Sequence, residues 1–446
     1  MVAENHQQAR VAIISLGCAK NLIDSEHIAS LLEDTGVEVC SDPAAAQVAI
    51  VNTCGFIDIA KEESIEVILE AAAMKKTSDL HRLIVTGCLS ERYGEELRES
   101  LPEADILLGI DPHGAARAAL WALGKGDVLP SRCNMRACRF TPRAWTYLRI
   151  AEGCSNRCSY CAIPDIRGPL VSRPMSEILD EAEGLLGSGV RELNIIAQDT
   201  TAYGQDEGDQ RLHELLQTLA WMDSGHWIRL LYTHPAHYYP QLIDVLAGEE
   251  SICPYLDIPF QHISNPVLER MGRNVSRMGI QKLLGTLRDR ISNLVLRTTF
   301  IVGFPGETEE DFTELLDFVR EQRFDRMGVF RYSCEDETPA GRFENQVPED
   351  VKQERYDELM QLQMEIAFEK ASERIGESVK VLVEPTELHP EKTPWGRSRW
   401  EAPDVDPIIF LQAPPGLQEG EMVDAKIMDS RDYDCVARVL EGESEC

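Results

Sequence analysis

The 446-residue chain contains no apolar run that approaches the roughly 18 residues a membrane-spanning helix requires, so no transmembrane segment is expected. Its first residues, MVAENHQQAR, lack a basic start followed by an apolar stretch. That predicts no secretory signal and a cytosolic default. Positive charge is scarce as well: 44 Lys and Arg stand against 76 Asp and Glu, for a formal net charge of −32. Binding to nucleic acid rests on cationic neutralisation of phosphates, so this balance disfavours a nucleic acid as direct substrate. An acidic surface suits a basic protein partner, although solubility alone accounts for it equally well. Internal repeats and low-complexity tracts are absent. At this length one ordinary core does not suffice, and roughly two to four domains follow.

Cysteine, by contrast, is abundant, with 13 in the chain. In a reducing compartment disulfides are disfavoured, and clustered thiols point to metal or catalysis.

The fold class reads as α/β. From Val11 strand and helix patterns alternate: VAIISL, VAIVN, LIVTG and ADILLGI are strands, with helices between them. Asp24 or Ser25 is a plausible cap for the first helix, and the next helices run through KEESIEVILEAAAM and from near Ser90. This predicts an open, mostly parallel sheet over 9–125. The Gly-, Pro- and base-containing stretch near 124–142 breaks the pattern and reads as a linker. A second series over 140–372 supplies six candidate strands, TYLRIAEG, RELNIIAQ, WIRLLYT, YLDIPF, LVLRTTFIVG and RMGVFRY. Six units are fewer than the eight of a closed barrel; a partial (β/α)6 barrel or a doubly wound sheet fits. VKQERYDELMQLQMEIAFEKASERIG is one long helix. Over 374–443 the period shifts to two, with short strands between turns, predicting a small antiparallel β-barrel.

The strongest chemical signal is EGCSNRCSYCAIP, which sets Cys154, Cys158 and Cys161 in a C-x3-C-x2-C spacing just after a predicted strand. Three thiolates on a short loop can hold three corners of an iron–sulfur cubane and leave the fourth iron open to a small molecule. A zinc site usually takes four protein ligands, and no second C-x2-C pair stands at the usual spacing, so zinc would need a distant ligand such as His262. A second set is dispersed. Cys18 in SLGCAKN, Cys54 in VNTCGF and Cys88 in VTGCLS each follow the end of a predicted strand, beside Gly17, Gly55 and Gly87. In an open α/β sheet those strand ends share one edge, so the three thiols can converge. Three ordinary buried cysteines are the plain alternative. Cys40, Cys133, Cys138, Cys253, Cys334, Cys435 and Cys446 fit no motif, although Cys133 and Cys138 share the linker.

The C-x3-C-x2-C loop, with aromatic Tyr160 before its last cysteine, on the first βα loop of a six-unit domain, resembles the radical S-adenosylmethionine (SAM) superfamily. Within it the chain resembles the methylthiotransferases, whose N-terminal domain holds a second cluster and whose C-terminal barrel is a TRAM domain. The resemblance covers nearly the whole chain. It implies two [4Fe-4S] clusters, one on Cys154, Cys158 and Cys161 and one on Cys18, Cys54 and Cys88, with SAM as cofactor. It also implies that the first of these cleaves SAM to a radical that takes a hydrogen from substrate, that the second presents or donates sulfur, and that a second SAM supplies the methyl group. Tyr160, Glu192, Gln198 and Gly303 become candidate cofactor contacts. Glu192 stands where related enzymes contact the methionine amino group. Gln198 and Asp199 end the same strand, with a purely structural role as the plain alternative for either. Gly303 and Gly306 in IVGFPGETEEDF lie on a loop that approaches the adenosyl group in relatives, or form a tight turn with Thr308 as a helix cap. Arg167 and Arg173 are anion contacts or plain salt bridges.

Members of this family act on tRNA or on the small-subunit ribosomal protein S-twelve. SLGCAKNLIDSE, AEGCSNRCSYCAIPDIRG, IIAQDTTAYG and DIPFQHISNPVLERMGR resemble the ribosomal-protein branch; the tRNA branch tends to an Asn-rich phrase in place of AQDTTAYG and a Gly-Ser phrase in place of QHIS. From Arg374 to Cys446 there are 16 acids and 8 bases, a net −8. A barrel that grips RNA should be basic, whereas an acidic one steers towards a basic protein. The expected product is a β-methylthio-aspartate in S-twelve, with an electron donor as second partner and no membrane. The alternatives are a tRNA adenosine methylthiotransferase and a non-catalytic iron–sulfur carrier.

Overall fold

The computed structural model describes residues 8–126, 129, 136, 138–222, 225–335, 337–389, 392–413 and 416–440. The chain forms two compact units, Met1–Phe140 with Ala162–Pro169, and Thr141–Cys161 with Leu170–Cys446. Of the linker cysteines, Cys133 lies outside the described residues, as does Cys446.

In the first unit the strands are β1 (Arg10–Ser15), β2 (Glu38–Cys40), β3 (Val48–Thr53), β4 (Arg82–Gly87) and β5 (Ile106–Leu107). They form one parallel sheet in the order β2-β1-β3-β4-β5. Strand side chains alternate between faces. Val11, Ile13, Val48 and Ile50 accordingly enter one core, with Ile28 and Leu32, while Ala12, Ala49, Val51 and Val85 enter the opposite one, with Ile68 and Leu97. The order reverses between β1 and β3. That reversal is a topological switch point, where a doubly wound sheet opens a crevice beyond its strand ends. The first helix, Ala19–Glu33, begins at Cys18 and not at Asp24 or Ser25. Both residues have the short polar side chains that favour caps, yet they lie buried inside the helix, Asp24 paired with Arg167 and Ser25 bonded to Ser15 and Asn52.

The second unit holds β6 (Trp145–Arg149), a short ribbon of β7 (Ala151–Glu152) and β8 (Val171–Ser172), and then β9 (Glu192–Ile196), β10 (Trp227–Leu230), β11 (Ile252–Asp257), β12 (Val295–Val302) and β13 (Arg326–Arg331). The main sheet is parallel in the order β6-β9-β10-β11-β12-β13. Each connection advances in one direction, which is the winding of a barrel. A doubly wound sheet would need a reversal, and this sheet has none. Six strands leave it open. The long helix Glu349–Glu373 packs on β13.

The chain ends in a closed five-stranded barrel of β14 (Ser378–Val383), β15 (Trp395–Arg397), β16 (Ile409–Gln412), β17 (Met422–Arg431) and β18 (Asp434–Val439). It departs from the expected all-antiparallel form in one pair: β16 and β18 run parallel. The sequence pattern missed β15, which is only three residues long. Its Gly396 fits because a Cβ there would stand 2.3 Å from the Leu382 carbonyl on β14.

A buried ion network joins the barrel to the sheet within this unit. Arg397 pairs with Glu192 (2.8 Å) and Glu384 (2.6 Å), Glu192 also pairs with Arg229 (2.7 Å), and the Trp145 indole donates to Glu384 (3.1 Å). None of these charged side chains is more than 2% exposed. Burial of such charges is costly, and removing one partner strands the others without water. Arg397→Ala leaves Glu384 without its guanidinium partner, and a loss of about 3–5 kcal/mol in unfolding free energy is expected. Urea denaturation followed by tryptophan fluorescence measures it.

Candidate functional site

In the first unit, the three dispersed cysteines come together at the carboxyl edge of the sheet. Cys54 and Cys88 immediately follow β3 and β4, and Cys18 follows β1 after Leu16 and Gly17. Cys18 and Cys54 thus flank the switch point. The glycines make the approach possible. A Cβ on Gly17, at φ +86°, would lie 2.7 Å from the Cys54 Cβ, and one on Gly55 would lie 2.6 Å from the Leu89 backbone. Asn21 knits the turns by donating to the carbonyls of Thr53 (2.8 Å) and Leu16 (3.0 Å), and its Oδ1 accepts from the Cys88 thiol (3.4 Å). Ser64 both donates to the Cys54 carbonyl and accepts from its N–H. Burial pushes the thiols of Cys54 and Cys88 up, that of Cys88 to about 11, and the charge of Cys18 adds to both shifts. A positive group or a metal is what would make them thiolates.

The second unit carries the C-x3-C-x2-C loop beyond the carboxyl ends of β6 and β7. Its backbone is pinned from three sides. The Ser159 N–H donates to the Met271 carbonyl (2.9 Å), its hydroxyl donates to Arg270 O (2.7 Å), and its carbonyl accepts from Ala340 N–H (2.8 Å). Cys154, Cys158 and Cys161 are all partly exposed. Arg273, almost fully buried, directs Nη1 to Cys158 Sγ at 3.9 Å and also bonds the Pro259 carbonyl. Tyr160 is partly buried and stands edge-on to Phe304, with centroids 6.4 Å apart.

Both sets suit a cluster better than a single ion. Ligands of one ion crowd together, and among the described residues the group of three whose donor atoms fall within 4.8 Å of one another is Asp199, His234 and His237, not either cysteine set. A cubane spreads its corner thiolates more widely and takes three while leaving one iron open. The described cysteines are all free, so no disulfide competes for the thiols.

The softer candidates divide. Gln198 lies at the carboxyl end of β9 and donates to Glu152 Oε1 (2.6 Å), on the side of the cysteine loop. Gly303 follows β12 at φ +71°, where a Cβ would meet the Lys352 side chain at 2.2 Å. Its loop is held by Glu307, whose carboxylate accepts from Phe304 N–H (3.1 Å) and pairs with Arg355 (2.9 Å). Burial raises Glu307 to about 7, against the pull of Arg355. Thr308 caps the following helix through a capping box with Asp311. Glu192 is corrected. It opens β9 opposite Trp145, at the amino end of the sheet, and is consumed by Arg229 and Arg397. The position after a strand start and the position after a strand end differ by the length of the strand, and only the latter faces the loop. Arg173 forms a salt bridge with Glu181 (2.8 Å).

His234, His237 and Arg273 escaped sequence reading, whereas Asp199 is singled out there at the end of its strand. Asp199 accepts from Asn156 of the cysteine loop (2.7 Å) and from Thr201 (2.6 Å), and its Oδ2 lies 2.8 Å from His237 Nδ1. Asn156, Asp199 and His237, with Cys154, Ser155, Gln205 and Asp206, line a cavity of about 260 Å³. The H-x-x-H spacing of His234 and His237 just beyond a strand was the available signal. Arg273 gave none, since its importance depends on burial beside Cys158.

Residues 10–109 match the Uncharacterized protein family UPF0004, 148–319 the Radical SAM superfamily and 375–440 the TRAM domain. The chain is 43% identical to the ribosomal protein uS12 methylthiotransferase RimO of Syntrophotalea carbinolica, covering 99% of each chain. It is 46% identical to that of Pelotomaculum thermopropionicum, covering 97% of this chain and 99% of the relative. Among solved structures it resembles the radical SAM methyltransferase TsrM from Kitasatospora setae, with a TM-score of 0.54 at 17% identity over 75% of this chain and 77% of that one. The cobalamin-dependent SAM radical enzyme OxsB gives a TM-score of 0.51 at 12% identity, over 81% of this chain and 56% of that one. These two likenesses concern the fold. This chain belongs to the RimO family of radical SAM methylthiotransferases.

Burial, reinforced by the Arg273 cation, lowers His234 from 6.5 to about 3. Between those values the unfolded chain binds a proton that the folded chain refuses, so stability present above pH 6.5 is lost as pH falls towards 3. His234→Asn removes this contribution. Thermal unfolding of the variant should therefore change less than that of the parent between pH 7.5 and pH 5.

Proposed function

We propose that this chain installs a methylthio group on the β-carbon of an aspartate in the small-subunit ribosomal protein S-twelve. The observation that carries this reading is the similarity, over almost the entire length of both chains, to proteins named for that activity. Two three-cysteine sets, each at the carboxyl edge of a parallel sheet, supply the chemistry it needs.

Cys154, Cys158 and Cys161 hold the cluster that binds SAM, and Cys18, Cys54 and Cys88 hold the second one. When bound, the two [4Fe-4S] clusters and SAM supply reductive cleavage of a sulfonium together with the sulfur and methyl groups that are transferred. The protein's own residues bind, orient and shield. Arg273 places a permanent positive charge beside Cys158. Ser159, held on three sides, keeps the loop from spreading when iron is absent. Phe304 and Tyr160 form an apolar wall that excludes water from a reactive centre. Gln198 and Gly303 remain the proposed contacts to SAM. Asp199 fixes Asn156 and His237 at the cavity beside Cys154.

The partner reading rests on charge and on the activity for which the relatives are named. A net −32 chain with a −8 terminal barrel meets a basic ribosomal protein with complementary sign and repels a phosphate backbone. No helix among the described residues is long and apolar enough to cross a membrane. We place the enzyme in the cytosol, where its thiols stay reduced and an electron donor is at hand.

Anaerobically reconstituted and reduced protein, given SAM and either S-twelve or tRNA, should yield a methylthio adduct only on the aspartate-containing peptide by mass spectrometry. An adduct on tRNA alone moves the chain to the tRNA branch. Failure to cleave SAM at all supports a non-catalytic carrier.

A further inference from the structure

Arg167 has no part in the chemistry described so far, yet it is buried at the three-thiol site of the first unit. It ends the short helix Ile163–Arg167, whose Ala162 and Ile166 neighbours pack with Cys88 in one apolar cluster. Its side chain is 2% exposed. Nη2 donates to Asn21 Oδ1 at 2.6 Å and to Asp24 Oδ2 at 2.9 Å. The same Asn21 oxygen accepts from the Cys88 thiol at 3.4 Å, so guanidinium and thiol share one acceptor. The charge of Arg167 acts on Cys88 and reaches Cys54, drawing both thiols down against their burial.

A guanidinium does not lose its proton in a protein, so this is a fixed charge. In a buried setting charges are weakly screened. Local charge and hydrogen bonds to cluster sulfurs are the levers by which a protein tunes an iron–sulfur potential. A cation beside the site favours the reduced, more negative state. Asp24 works in the opposite sense, because it holds the guanidinium in place while cancelling part of its field. Asp24 faces Arg167 at hydrogen-bond distance, whereas three thiolates would share its charge.

We propose that Arg167 is a positioning residue for the three-thiol site, where its charge, oriented by Asp24 and Asn21, raises the reduction potential of the cluster held by Cys18, Cys54 and Cys88. The inference rests on the reading that these three cysteines hold a [4Fe-4S] cluster.

The test uses the full chain with Cys154, Cys158 and Cys161 all replaced by Ala, reconstituted anaerobically, so that remaining iron reports on the first unit. Iron and acid-labile sulfide are measured first. Their absence overturns the cluster reading and this proposal together, whereas their presence isolates Arg167. The half-reduction point is then followed by EPR against redox mediators. Arg167→Gln should need a reductant-to-oxidant ratio about tenfold higher, which is ~59 mV lower for a one-electron couple. Arg167→Lys should stay near the parent, and Asp24→Asn should shift the opposite way. Equal potentials in the parent, Arg167→Gln and Asp24→Asn overturn the proposal. Shifts of the same sign in both variants also overturn it, since general loosening would produce them. If Arg167→Gln holds no iron, Arg167→Lys near the parent with Asp24→Asn above it supports the proposal, and any other pattern overturns it.

Discussion

Everything distinctive about this protein follows from one property of parallel sheets. Strands that all run one way deliver all their carboxyl ends to one edge, whatever their separation in sequence. In the first unit this gathers cysteines that are 36 and 34 positions apart (18 to 54, 54 to 88) into one neighbourhood. In the second unit it aligns the cysteine loop after β7 with the loops after β9, β10 and β12, which bring Asp199, His234 and Phe304 to the same side. The thiols need no sequence motif to converge in the first case, only strands of similar length and glycines where the turns touch.

Buried charge is the second theme. Despite the large acidic surplus of the chain, several of its arginines lie inside. Arg229 and Arg397 neutralise Glu192 and Glu384 where the barrel meets the sheet, Arg273 stands beside Cys158, and Arg167 stands beside Cys88. Glu401, with Arg374 and Arg326, adds a further buried group, its carboxyl held down to about 2 by those cations despite its burial. Such pairs contribute little net stability compared with apolar packing, but each fixes one geometry, because a mispaired charge in the interior is far worse than a well-paired one. The acidic exterior and the paired charges of the interior are therefore separate matters: the first concerns encounter with a partner, the second the register of the fold.

Much of this was legible in the sequence. The alternation of apolar strands with helices gave both parallel sheets, and the cysteines singled out after predicted strands do follow the carboxyl ends of strands. What could not be read was direction and depth. Asp24 looked like a helix cap because its chemistry suits one, yet the helix begins at Cys18 and Asp24 turns inward to meet Arg167. Glu192 looked like a cofactor contact because it belongs to the right strand, but it sits at the wrong end of it. The parallel pairing of β16 with β18, and β15 with its three residues, depend on long-range closure of the barrel, which no local pattern records. Arg167 and Arg273 are ordinary in sequence and matter only through what they are buried beside.

The central claim is that two separate strand-edge sites each hold one cluster and that only one of them opens SAM. Iron counting by Mössbauer spectroscopy on the anaerobically reconstituted full chain, beside the Cys18, Cys54 and Cys88 triple alanine variant, tests it most directly when SAM cleavage is followed in the same samples. The account predicts that the variant loses about half the iron and keeps SAM cleavage. Full iron retention, or loss of SAM cleavage with the second-unit cluster intact, would contradict it.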